Sequence, residues 1–178
     1  METGLITVGH GAASQQELTS LLQGADVRLL VDVRRYPGSR AHPHAGRDAL
    51  EQWLPEAGVS YRWEPRLGGR RSVPAESPDV WWQVPAFRGY AAHMRTAEFL
   101  EAADALVADA EKARTAVMCS ESLWWRCHRR MVSDFLVLVR GLAVDHLDHR
   151  GGLTAHRVAA GARLCAPDRL VYDATGEG

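Results

Sequence analysis

The sequence predicts a single α/β domain with a mostly parallel sheet of five or slightly more strands and helices on both faces. Three observations support this. The 178 residues are enough for one core rather than two. Short apolar runs bounded by turn residues recur at Leu5–Val8, Val27–Val33 and Thr115–Met118. Amphipathic segments at helical spacing separate those runs, the alternation that builds βαβ units.

Leu5-Ile6-Thr7-Val8 reads as a buried strand, turned by Gly9-His10-Gly11. Ser14 and Glu17 then form a Ser-x-x-Glu capping box ahead of Leu18, Leu21 and Leu22, and Gly24 stops the helix. Val27–Val33 is the next strand, reached by a crossover. The loop Arg34–His44 leaves its carboxyl end. A helix over 48–57 leads to a strand at 59–63, followed by irregular chain from Glu64 to Pro85 with the reach of a lid. Helices are expected over 87–94 and 96–113, the second capped by Thr96. The strand 115–118 ends at Cys119 and is expected to pass straight into a helix over 122–140, stopped by Gly141. A strand at 142–147, a small helix near 154–160, an edge strand at 169–172 and a flexible tail over 174–178 complete the reading. The domain proper is 1–173.

Composition narrows the class. Hydrophobic residues make up 46% and charged residues 24%, an ordinary globular balance. No run approaches a membrane span and no leader precedes the first strand, so a cytoplasmic protein with no membrane partner is expected. Three cysteines, Cys119, Cys127 and Cys165, do not suggest a disulfide framework. A net charge of −1 argues against a globally basic nucleic-acid coat. Lys112 is the only lysine, so the placement of the arginines says more than their number.

Strands of such a sheet present ligand loops at their carboxyl ends. The loops after Val8, Val33 and Met118 are expected to share one crevice there. Cys119 would then sit at a strand-to-helix junction, where free N–H groups and the helix dipole favour a thiolate. His10, Glu121 and His128 are candidate proton carriers beside it. Cys127 falls with Trp124, Met131, Phe135 and Leu138 on an apolar stripe, the spacing of a packed thiol. Arg130 and Asp134 are spaced to pair on another face. Asp32, inside a strand, needs a partner among the arginines of the following loop. Arg34, Arg40, Arg70, Arg88, Arg126 and Arg129, with Tyr90 and other interleaved aromatics, suit a phosphate, carboxylate or stacked base. The step from Cys119 to Arg126 is one residue longer than the phosphate loop of Cys-dependent phosphatases. No Cys-x-x-Cys or His-x-x-x-His spacing points to a metal, and no cofactor is implied.

Taken together, Val8-Gly9-His10, Leu30-Val31-Asp32-Val33-Arg34, Pro37-Gly38-Ser39-Arg40, Leu67-Gly68-Gly69-Arg70, Phe87-Arg88-Gly89-Tyr90, Met118-Cys119-Ser120-Glu121 and Arg126-Cys127-His128-Arg129 resemble the bacterial domain of unknown function family 488. The resemblance implies that these residues form one pattern centred on Cys119–Arg129. Gly11 departs from it, since similar sequences carry Ser there. Two functions follow as expectations. One is a thiol-dependent transferase or hydrolase acting on an anionic small molecule, nucleotide or nucleic acid. The other is a non-catalytic module binding the same ligands.

Overall fold

A computed structural model describes residues 3–175; residues 176–178 of the expected tail lie outside them. The chain runs β1 (Gly4–Gly9), α1 (Gln15–Gly24), β2 (Leu29–Asp32), α2 (Arg47–Glu56), β3 (Ser60–Trp63), α3 (Pro85–His93), α4 (Ala97–Lys112), β4 (Arg114–Cys119), α5 (Arg129–Leu138), β5 (Val144–Leu147), β6 (Leu153–Ala155), β7 (Ala162–Ala166) and β8 (Arg169–Tyr172). Six strands form one sheet in the order β3-β2-β4-β1-β5-β6, with only β6 antiparallel. The predicted α/β class and mostly parallel sheet are therefore observed. No helix among the described residues is long and apolar enough to cross a membrane.

Side-chain alternation sorts the strands onto two cores. In register across β1, β4 and β2, Ile6, Ala116 and Leu30 face one side and pack with Leu18 and Leu22 of α1 and Leu50 and Leu54 of α2. One residue on, Val117 and Val31 face the other side with Tyr90, Phe99, Met131 and Phe135 from α3, α4 and α5. Thr7 shares their row, and Cys119 lies two residues further along β4, on that same side. The capping box forms as expected: Glu17 N–H donates to Ser14 Oγ at 3.1 Å, and Ser14 N–H donates to Glu17 Oε1 at 3.3 Å.

Four elements differ from expectation. The helix after Cys119 begins only at Arg129, because the carbonyls of Glu121 and Ser122 accept from the Arg129 guanidinium at 2.7 and 3.3 Å instead of closing a helical turn. The next strand starts at Val144 rather than 142. The expected helix over 154–160 is absent, since Leu153–Ala155 pairs with β5 and His156 N–H extends that edge to Val144. The strand 169–172 joins β7 in a separate hairpin rather than the main sheet.

Two glycines let the loops close on each other. Gly9 pairs in register with Cys119, and a Cβ there would overlap the Glu121 carbonyl. A Cβ on Gly68 would fall 2.7 Å from the backbone nitrogen of Arg35. Gly68→Ala should therefore destabilise the fold by about 1–3 kcal/mol. Gly38→Ala, where a Cβ meets nothing within 4 Å, should be neutral or stabilising by up to about 1 kcal/mol. Urea unfolding of both variants checks this, and equal midpoints would refute the close packing.

Candidate functional site

The loops after β1 and β2 turn toward α1 and α2, whereas β4 hands the chain to α5 on the opposite face. Neighbouring strands whose connections leave to opposite sides open a crevice at their carboxyl ends. Backbone bonds draw the three loops together there: His10 N–H to Cys119 O at 3.0 Å, Gly11 N–H to Ser120 O at 2.9 Å and Val33 N–H to Met118 O at 3.0 Å. His10, Arg34 and Cys119 thus reach one edge of the sheet. A cavity of about 450 Å³ lies alongside, and it includes Cys119, Cys127, His128, Arg34, Glu121 and Tyr90 in its lining.

At its floor the sulfurs of Cys119 and Cys127 stand 2.8 Å apart, with Cys119 2% and Cys127 7% exposed. The two thiols are not equivalent. Burial opposes the charged form of Cys127, but the Cys119 hydrogen bond, the His128 ring 3.7 Å away and the Arg129 charge outweigh it, so its pKa is held well below the ordinary thiol value. Arg129 N–H adds a further contact to Cys127 Sγ at 3.3 Å, at the start of α5. Burial pushes Cys119 well up, reinforced by the hydrogen bond and charge of Cys127. This balance favours Cys127 as the more acidic thiol and Cys119 as the S–H donor. The expected order of acidity was the opposite, and the difference lies in the groups on each sulfur: Cys127 has the Cys119 hydrogen bond, the His128 ring and the Arg129 charge, while burial dominates at Cys119. His128 Nε2 donates to the Val33 carbonyl at 3.1 Å, leaving Nδ1 toward the sulfur.

Asp32 finds its partner in the following loop, as expected. Arg34 donates to it through Nε at 2.8 Å and NH2 at 2.7 Å, and Tyr61 OH donates at 2.6 Å. His10 packs against this pair. With Nδ1 donating to Gly11 O at 3.0 Å, its Nε2 accepts from Arg34 NH1 at 3.3 Å. Burial, aided by the Arg34 charge, pushes the His10 pKa down to about 4. His10 and Arg34 therefore support the crevice wall, with Arg34 the member that lines the cavity.

Arg35, Arg70 and Arg126 form the cationic rim. Arg70 stacks 5.6 Å from the Tyr36 ring, and Arg126 is exposed with no side-chain partner among the described residues. Three predicted binding arginines lie elsewhere. Arg40 is exposed on its loop outside the cavity lining. Arg88 donates to the Trp82 carbonyl at 2.6 Å, and Arg129 is 1% exposed. Tyr90 lines the cavity while its OH donates to Leu67 O at 2.6 Å. Glu121 lines it too and accepts from Leu123 N–H at 3.2 Å. A second hollow of about 530 Å³ between α1 and residues 147–151 contains neither thiol.

Behind the thiols runs a buried polar chain that the sequence reading does not contain. Arg129 NH1 donates to Thr7 Oγ1 at 3.1 Å, and Thr7 meets His146 Nδ1 at 2.5 Å. His146 Nε2 meets His156 Nδ1 at 2.8 Å, and His156 Nε2 meets Asp134 Oδ1 at 2.7 Å. Tyr172 OH closes the chain on Asp134 Oδ2 at 2.9 Å. Every bond from Arg129 to Asp134 can donate in one direction with both imidazoles neutral. Burial, the neighbouring His156 and the Arg129 charge push the His146 pKa down to about 3. Asp134 is thus buried in this chain rather than paired with Arg130, which stacks 4.8 Å from Trp82. The signal available in the sequence was Asp134 beside Phe135 within an apolar helix, a costly place for a carboxylate without buried donors.

An α/β sheet whose central strand ends in a thiol apposed to a second thiol at a helix start defines the structural class. Residues 14–136 match the family described as Domain of unknown function DUF488, and the chain belongs to it. No curated protein and no solved structure matches the chain.

Iodoacetamide should label Cys127 faster than Cys119, and the Cys127 rate should stay level as pH falls below about 8.5, where an ordinary thiol slows about tenfold per unit. Peptide mass spectrometry at several pH values measures both rates, and a faster Cys119 would overturn the assignment.

His10 and His146 stay neutral in the folded chain down to about pH 4 and about pH 3, whereas the unfolded chain protonates both near 6.5. Unfolding then takes up protons, so stability falls as pH drops from about 6.5 toward 4. Urea midpoints at pH 7.5, 6 and 5 should decline in that order, and a flat series would contradict the buried neutral assignments.

Proposed function

We propose that this protein is a thiol-dependent transferase or hydrolase for an anionic substrate, with a nucleotide or another phosphate-bearing compound the best fit. The observation that carries the reading is the Cys127 sulfur, favoured as thiolate, at the floor of a cavity rimmed by Arg35, Arg70 and Arg126. Forked guanidinium groups bind oxyanions in paired geometry, and the nearby faces of Tyr36 and Phe87 suit a flat apolar moiety such as a base.

In this mechanism the rim holds the charged group and delivers an electrophilic centre to Cys127 Sγ. Cys119 S–H stabilises the thiolate before attack, as the second sulfur does in the hydrogen bond at 2.8 Å. His128 Nδ1, on the same sulfur, takes up the proton that Cys127 sheds, passes it to the leaving group and takes one back from the second acceptor, water in the hydrolase case. Glu121, at the open side of the cavity, is a further proton carrier. His10 has its Nε2 engaged by Arg34 and acts as support.

Calorimetry with nucleotides and short single-stranded oligonucleotides tests the rim. Affinity should fall as salt is raised, and Arg70→Ala combined with Arg126→Ala should weaken binding about tenfold or more while the fold persists. Cys127→Ser should keep binding and abolish turnover of the bound compound. Binding unchanged in the folded double variant would remove the rim from the site. Binding without any thiol-dependent turnover would favour the non-catalytic module.

A further inference from the structure

We infer that Cys119 and Cys127 form a reversible dithiol–disulfide couple, oxidised by anionic low-molecular-weight disulfides that enter through the arginine rim. The inference goes beyond the proposed group transfer and requires no phosphate-bearing substrate. It stands on geometry. The two sulfurs are 2.8 Å apart, so forming a bond of 2.03–2.05 Å needs a closure of only about 0.8 Å. The backbones are held on each side of that gap. Cys119 ends β4 in ladder register with Gly9, and Cys127 lies against the first N–H of α5. Both residues line the same cavity, whose mouth carries Arg35, Arg70 and Arg126 against a carboxylate-bearing visitor.

The exchange proceeds in two displacements. Cys127 Sγ, as thiolate, attacks one sulfur of the external disulfide RSSR, breaking its S–S bond and forming Cys127–S–S–R with release of RS⁻. Cys119 then loses its proton to solvent, and its sulfur attacks Cys127 Sγ. The protein disulfide forms, and the second RS⁻ departs. The two thiolates released take up two protons, one formerly on Cys119 and one from solvent, balancing the proton that Cys127 had shed. The protein pair has given two electrons and two protons to RSSR, yielding two RSH. Attack by Cys127 first follows from its position at the helix start with Cys119 as its S–H donor.

Cys165 provides an internal control, since it is exposed on β7 and separate from the pair. The reduced full-length chain is equilibrated in glutathione buffers of graded redox ratio, quenched in acid, unfolded, alkylated and mapped by peptide mass spectrometry. A peptide linking Cys119 to Cys127 should appear, with both thiols lost together and a tenfold change in oxidised-to-reduced ratio for every about 30 mV of buffer potential. Cys165→Ser should leave that titration unchanged. In Cys119→Ala, once circular dichroism confirms the fold, Cys127 should accumulate as the mixed disulfide with glutathione. Should that variant not fold, the parent map decides. Both thiols remaining alkylatable in the most oxidising buffer, each carrying glutathione separately, or a link through Cys165 would overturn the inference. An unmodified Cys127 in folded Cys119→Ala would overturn its role as the attacking sulfur.

Discussion

Arg129 is the largest fully buried side chain among the described residues, and its guanidinium has exchanged water for three oxygen acceptors, one on β1 and two in the loop after β4. One arm holds the carbonyls of Glu121 and Ser122, the other reaches Thr7 on β1, and its own N–H meets the Cys127 sulfur. A buried guanidinium is costly unless its donors are met and a negative group is coupled to it. Asp134 supplies the negative end through Thr7, His146 and His156. Arg129, which adds its charge to the Cys119 hydrogen bond and the His128 ring in lowering the Cys127 pKa, is thereby tied to residues from β1, β5 and the C-terminal hairpin.

The same residue also shapes the surroundings of the two thiols. The Cys119–His128 segment is drawn away from helix geometry because Arg129 binds its carbonyls from the side. The dipole of α5 and its first free N–H groups then fall on Cys127.

The fold was readable because its signals are local. The Ser14–Glu17 capping box, the apolar runs of β1, β2 and β4, and the Thr96 cap each depend on residues within a few positions of one another. Asp32 was readable for a similar reason, with its partner Arg34 two residues away. The convergence of His10, Arg34 and Cys119 followed from parallel strands sharing one carboxyl edge. What escaped were long-range matches. Thr7 and His146 are 139 residues apart, and Tyr172 reaches Asp134 across 38. No periodicity announces such partners. The start of α5 escaped because the acceptors that break the helix are satisfied by a side chain seven and eight residues further along. Arg88 illustrates the converse error: a guanidinium beside glycine and tyrosine looks available in sequence yet is engaged by a backbone carbonyl.

The position of β4 shapes how the protein is made. It lies between β1 and β2, so those two strands, although consecutive in the chain, share no ladder and must both await a partner that begins at Arg114. A ribosome adding about 5–20 residues per second leaves them waiting on the order of ten seconds before that partner is synthesised. During that interval β2 can pair with β3 and gather α2, while β1 has neither of its lasting neighbours, β4 and β5. The nascent chain thus carries an apolar strand with both edges open until the cysteine-bearing strand inserts, and the high sequence separation of that insertion makes it the natural slow step of folding.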